Sequence, residues 1–320
     1  MGRKFIKKII STFVAHPFFL FRSSRFVRTY LNCEAVALIK ENPPLLEGEL
    51  GRVAEDLQRN GVAVTDLDVL FPGQGMLKTL HAYADVLRPS GKIRKGKPFL
   101  MALWPDNTEL HLENPFTQVA LSGRALAVVQ AYLGMNPKFF YSYLDVTLPV
   151  LPGTPPFRSQ NWHRDPEDRK MCKMFIYLSD VGEGAGPFVY LRGSHIDGRW
   201  GNVYPQNPPK GSYPSEEAVR SAIPKEAEFV CIGKAGAVVF ADTAGLHRGG
   251  YATLDERLMF TADYSSPASL RSPLHALSEG FKNSLPQFQP AARYALSSEN
   301  RFIARTLNAI SNTFLKYGLY

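Results

Sequence analysis

The sequence predicts a mainly β domain with flanking helices, an α+β chain. Three observations carry this reading. Between residues 139 and 240 lie four short apolar runs of strand length (139–148, 171–178, 188–191 and 236–240), separated by turns rich in Gly and Pro. Ahead of them, residues 47–60, 75–87 and 114–133 carry apolar side chains at helical spacing. Both ends of the chain repeat that helical spacing with basic residues interleaved.

At 320 residues the chain can bury one large core or two smaller ones, and a single elaborated β-barrel domain is ordinary at this length. With 45% hydrophobic and 21% charged residues, the composition is that of a soluble globular protein. No uncharged apolar run reaches the roughly 18 residues of a membrane-spanning helix. The three cysteines, Cys33, Cys172 and Cys231, form neither a disulfide framework nor a C-x-x-C knuckle, so a reducing, cytoplasmic setting is expected.

In chain order, residues 1–33 form a basic amphipathic extension. Arg3, Lys4, Lys7, Lys8, Arg22, Arg25 and Arg28 precede the first acid, Glu34, so the rest of the chain is nearly neutral although the total is +8. A tail-borne charge argues against a basic nucleic-acid groove across the domain. Phe5, Ile6, Ile9, Ile10 and Phe13 lie among those bases. Two readings stay open: residues 1–31 lie on an anionic membrane surface, or they pack on their own domain. His16-Pro17 breaks the apolar stretch, and a secretory signal is not expected.

Residues 34–290 are read as the main domain. The helix over 47–60 stops at Gly61, and Val62-Ala63-Val64 follows as a strand. Asn114-Pro115 opens a helix expected to run to about Leu133. In the strand at 139–148, Tyr141, Tyr143 and Asp145 share a face. Residues 196–228 interrupt the strand pattern with Pro, Gly, Trp200, Tyr204 and Tyr213, and are expected to roof a site. Residues 291–320 end the chain as an amphipathic helix with Ile303, Leu307, Ile310 and Phe314 on one face.

The chemistry concentrates in two stretches. Gln160-Asn161-Trp162-His163-Arg164-Asp165 contains an H-x-D triplet, and its alternation on a strand puts His163 and Asp165 on one side and Arg164 on the other. A second stretch, 233–261, holds Gly236-Ala237-Val238-Val239-Phe240, His247 and Arg257. Two imidazoles and one carboxylate with open positions suit Fe(II), where an all-oxygen set suits Mg or Ca and thiolates suit Zn. Alone, an H-x-D triplet is weak among seven histidines.

The frame around it is more specific. H-x-D, a strand, the turn Gly193-Ser194-His195, a Gly-Ala-Val-Val-Phe strand, a distal His and an Arg ten residues later follow in order. That order resembles the phytanoyl-CoA dioxygenase family of Fe(II)/2-oxoglutarate oxygenases over about residues 135–266. The resemblance implies a double-stranded β-helix core, jelly-roll or cupin-like. It also implies Fe(II), 2-oxoglutarate and O2, with His163, Asp165 and His247 as the catalytic metal ligands. Arg257 would hold the distal carboxylate of 2-oxoglutarate through two parallel donors. Arg248 is a competitor for that role. Tyr177 and Thr261 are further co-substrate contacts, Gln160 and Trp162 flank the triplet, and His195 and Asp242 read as turn residues. The carboxylate at Asp165 favours hydroxylation, since related halogenases carry Ala or Gly there. The implied activity is hydroxylation of an aliphatic C–H of a small or lipid-like metabolite, with decarboxylation of 2-oxoglutarate to succinate. Lys173, Arg192 and Arg248 hint at an anionic group on the substrate. Two other readings remain: an inactive metal-binding sensor or scaffold of this fold, and a peripheral membrane protein acting through its basic N-terminus.

Overall fold

A computed structural model describes residues 7–105, 109–298 and 301–319; Arg3, Lys4, Phe5 and Ile6 of the basic extension lie outside the described residues. In chain order the strands are β1 (Val62–Asp66), β2 (Lys92–Arg94), β3 (Lys97–Ala102), β4 (Glu109–Leu110), β5 (Lys138–Thr147), β6 (Met171–Tyr177), β7 (Phe188–Leu191), β8 (Glu228–Cys231), β9 (Ala237–Ala241), β10 (His247–Arg248), β11 (Arg257–Ser265) and β12 (Ala276–Leu277). Seven make an antiparallel sheet in the order β1-β9-β6-β11-β5-β3-β2. Facing it is a three-stranded sheet, β10-β7-β8, and β4 pairs separately with β12.

Alternation along the strands builds two apolar layers. Every residue of β6 is buried, because both of its faces are covered. Cys172, Met174 and Ile176 join Phe240 and Phe260 against the helices Glu49–Asn60, Pro115–Ala120 and Gly123–Leu133. Phe175 and Tyr177 turn the other way and meet Phe188 and Tyr190 of β7, forming the core between the sheets. Each large side chain buried in these layers contributes about 1.5–3 kcal/mol.

The helix expected over 114–133 is two helices. Asn114 caps the first, its Oδ1 accepting from Phe116 N (2.9 Å), with Pro115 at the first helical position. Ser122 then caps a second helix, its Oγ accepting from Ala125 N (3.2 Å), and Gly123 begins that helix. A strong cap inside a periodic stretch restarts the helix instead of extending it.

The chain ends fold together. Helices His16–Arg22 and Arg25–Glu41 turn Phe19, Val27 and Leu31 toward Ala268, Leu270 and the final helix Phe302–Tyr317. Buried Arg22 fixes this junction by donating to Ala268 O (3.0 Å), Ser269 O (2.9 Å) and Asn308 Oδ1 (2.9 Å). Arg25–Glu41 runs unbroken through position 33, and two helices, Pro290–Leu296 and Phe302–Tyr317, occupy the C-terminal region.

Candidate metal centre

His163 pairs directly with His247 across a short antiparallel bridge, with His163 N to His247 O at 2.9 Å and the reverse bond at 3.0 Å. Residues directly opposite on paired strands present side chains to the same face. Their rings accordingly stand 4.1 Å apart. Asp165, held by its amide to Thr243 O (2.9 Å), points the same way two residues on. Its Oδ1 lies 3.6 Å from His163 Nε2 and its Oδ2 3.6 Å from His247 Nε2. One donor atom from each of the three residues lies within 4.8 Å of the others.

Both rings are oriented by the backbone. His163 Nδ1 donates to Asn161 O (2.9 Å) and His247 Nδ1 to Gly245 O (3.0 Å). A carbonyl can only accept, so each proton sits on Nδ1 and each Nε2 lone pair faces the shared point. Burial pushes His247 down to about 3, with neighbouring His163 adding to it, and burial lowers His163 as well. Both rings are neutral at physiological pH, the state a metal needs. Burial pushes Asp165 upward, but Lys173 and the two imidazoles outweigh it and hold the carboxyl below the usual range. A charged carboxylate between two neutral imidazoles is a donor set that fits Fe(II).

Arg257 is the second unusual group. It opens β11, is 4% exposed, and donates to Gly186 O (2.5 Å) and Thr147 Oγ1 (3.2 Å). Its Nε has no partner, and among the described residues no carboxylate pairs with it. A buried guanidinium bonded only to neutral oxygens is an incomplete arrangement that a carboxylate ligand would complete. The neighbouring Glu256 pairs instead with Arg88 on the surface.

The other sequence candidates separate cleanly. Tyr177 is fully buried, and its hydroxyl donates to Cys231 O (2.8 Å) and accepts from Phe188 N (3.3 Å). Thr261 faces Tyr143 and Phe175 on the neighbouring strands. Arg248 is held by Glu216 (2.6 Å) and Glu228 (3.5 Å) over the ring of Trp162, which removes it as a competing clamp. Arg192 donates to Glu226 O (2.6 Å). His195 contacts Gln58 O (3.0 Å), and Asp242 accepts from Tyr132 Oη (2.5 Å), so both sit apart from the triad. Gln160 spans from Phe157 N to Gly250 O, bracing the segment before the triplet.

Five residues contribute in ways the sequence reading did not assign. Arg164 points away from the metal point, as alternation requires, and donates to five carbonyls: Tyr204, Ser194, Ala244, Trp200 and Val203. It thereby ties the 196–228 insert and the β9–β10 loop to the triplet. Gln206 of the insert donates to Asp165 O (2.5 Å), and Tyr213 stacks on His163 with centroids 5.6 Å apart. Lys173 reaches Asp165 (2.6 Å) and Asp263 (3.4 Å), and Lys97 faces Asp165 and Asp145. Of these, Lys173 reads in the sequence only as a hint of an anionic substrate, Tyr213 only as part of the roofing insert and Arg164 only as facing away, while Gln206 and Lys97 leave no signal.

No family model and no curated protein matches the chain. Solved structures do. The epimerase SnoN, crystallised with Fe3+, alpha ketoglutarate and nogalamycin RO, is 16% identical with a TM-score of 0.52, the match covering 70% of this chain and 86% of SnoN. EctD from S. alaskensis with bound Fe is 17% identical with a TM-score of 0.50, covering 75% of this chain and 84% of EctD. The chain shares their fold. Two facing antiparallel sheets with the H-x-D triplet at their rim are thus the double-stranded β-helix expected from the sequence.

Proposed function

We propose that the chain is an Fe(II)- and 2-oxoglutarate-dependent oxygenase that hydroxylates an aliphatic C–H bond of a small metabolite. The observation that carries the reading is the combination of a converging His163–Asp165–His247 set with Arg257, a buried cation to which no carboxylate bonds among the described residues. The triad would hold the iron facially and leave three positions open. Arg257 would take the distal carboxylate of 2-oxoglutarate. Iron and 2-oxoglutarate, when bound, supply the oxidising chemistry, with succinate as by-product. SnoN and EctD were crystallised with iron, and SnoN with alpha ketoglutarate, on this fold, which supports the cofactor assignment.

The chain's own part is geometry and exclusion of water. Backbone carbonyls fix both imidazoles, Arg164 pins the loops behind them, and Phe175, Tyr177 and Phe188 keep the space between the sheets dry. The lining also speaks to the substrate. Lys97 has no ion-pair or hydrogen-bond partner among the described residues, and Lys173 would share Asp165 with a metal. Two cations beside the iron favour a substrate bearing an anionic group over a lipid-like one.

Anaerobic titration with Fe(II) and then 2-oxoglutarate tests the cofactor site. The expected result is a visible absorption of the chelate in the wild type that is lost in Asp165→Ala. Succinate release across a panel of anionic metabolites then tests the reaction. A chelate without turnover on any of them would favour the sensor or scaffold reading. An Asp165→Ala variant that matches wild type would sink the ligand assignment.

A further inference from the structure

The terminal helices carry a surface that the proposed reaction does not use. Residues 1–33 hold seven Lys or Arg and no acid, and residues 301–320 hold three and no acid. Against a chain total of +8, everything between them is therefore at −2. The fold brings these two ends into one module. Phe19 meets Phe314, Val27 and Leu31 meet Ala304, and Lys7 Nζ reaches Tyr317 O (3.3 Å).

The inner faces of these helices are filled, but the outer faces are apolar too. Eleven of the 23 large apolar side chains exposed among the described residues belong to this module. Phe13, Leu20, Phe26 and Phe302 are 74%, 62%, 81% and 75% exposed, with Phe21 and Ile303 beside them in sequence at 54% and 55%. Lys7, Lys8, Arg25, Arg305 and Lys316 are exposed among them. Monomeric proteins rarely leave large apolar side chains gathered on one surface without a use.

We propose that this module of terminal helices seats the protein on an anionic membrane surface, with the phenylalanines entering the lipid interface and the flanking cations meeting headgroup phosphates. Apolar side chains within a basic rim match that interface on both counts. A duplex backbone offers no apolar phase for Leu20, Ile303 and the phenylalanines, and a second copy would bring like charge against like. Seating is peripheral: among the described residues, no helix is long and apolar enough to cross a membrane.

Deletion of the module is a poor test, since Arg22, Val27 and Leu31 are buried against the rest of the chain. The full chain is instead co-sedimented with phosphatidylcholine vesicles with and without phosphatidylserine. Binding is expected only with phosphatidylserine, and it should weaken as salt rises. Combined Lys7→Gln, Lys8→Gln, Arg25→Gln and Lys316→Gln should weaken it about tenfold or more. Combined Phe13→Ser, Phe21→Ser and Phe26→Ser should abolish it while circular dichroism stays that of wild type. The proposal is overturned by no binding to either vesicle, by equal binding to both, or by variants that bind as wild type does. A concentration-dependent dimer that the phenylalanine variant dissolves, without vesicle binding, would assign the surface to a second copy instead. None of these readouts depends on turnover, so failure here leaves the oxygenase reading untouched.

Discussion

Arg257 and Asp165 are both buried charges, and they are balanced differently. Asp165 has Lys173 and two imidazoles around it, whereas Arg257 has only neutral oxygens. Replacing Arg257 with Lys keeps the charge and loses the planar pair of donors. A charge-assisted hydrogen bond contributes about 1.5–3 kcal/mol, so the 2-oxoglutarate concentration for half saturation should rise about ten- to a hundredfold. Iron affinity in the same anaerobic titration should stay unchanged; equal loss of both would mark Arg257 as merely structural. Asp242 supplies a pH-dependent counterpart away from the His163–Asp165–His247 cluster. Burial pushes its carboxyl up to about 6, against hydrogen bonds from Tyr132, Ala244 and Met171 that pull it down. The folded state thus holds the proton over a range where the unfolded chain has already lost it. Stability falls as pH rises from about 4 to about 6, and the full penalty of about 3 kcal/mol is present above that window. Asp242→Asn should remove this slope, so urea unfolding at about pH 4 and about pH 7 should show the variant gaining on wild type at the higher pH.

The elements most legible in the sequence were those whose apolar pattern runs long enough to count. β5, β6 and β9 fall in such stretches, and so does the helix Glu49–Asn60, closed by Gly61 at φ 77. β10, by contrast, is two residues long and exists because His247 finds His163 and Tyr190 across the sheet. No local preference announces a strand of that length. The loop before it is equally silent in sequence yet tightly fitted. A Cβ on Gly245 would lie 1.9 Å from Tyr190 Oη and 2.6 Å from its Cζ. Gly245 O is also the acceptor that orients the His247 ring. Gly245→Ala must therefore push a buried ring or move the loop, at a cost of about 1–3 kcal/mol, with weaker iron binding as the companion effect. Gly249→Ala is the control, because its nearest new contact is an ordinary 3.4 Å. Urea unfolding and iron titration of the two variants should part company; similar losses would mean that loop fit is not what aims the imidazole.

At the scale of the whole molecule, the sequence exposed the charge of the ends but not their meeting. Residues 22 and 268 lie 246 positions apart, and no periodicity predicts such a contact. Asp168 shows what that contact does for the site. It stands three residues after Asp165, fully buried, where Oδ1 accepts from Arg28 (2.6 Å) and Arg169 N (2.7 Å). Its Oδ2 accepts from Ser266 N (2.8 Å) and Oγ (2.6 Å), just past the end of β11. One carboxylate therefore joins the N-terminal helices, the strand carrying Arg257 and the segment carrying His163 and Asp165. Asp168→Ala strips the partner from a half-buried guanidinium and a buried amide at once, and should cost about 3–5 kcal/mol. Arg28→Ala leaves Asp168 with three donors and should cost about 1–3 kcal/mol. Because the two share one network, the double variant should fall short of the sum by about 0.5–3 kcal/mol, a gap that urea unfolding of the four proteins can resolve. The gap should persist in added salt, since a buried pair is little screened. Strict additivity, or a gap that salt erases, would mean that the terminal helices are appended to the double-stranded β-helix and do not brace the segment carrying His163 and Asp165.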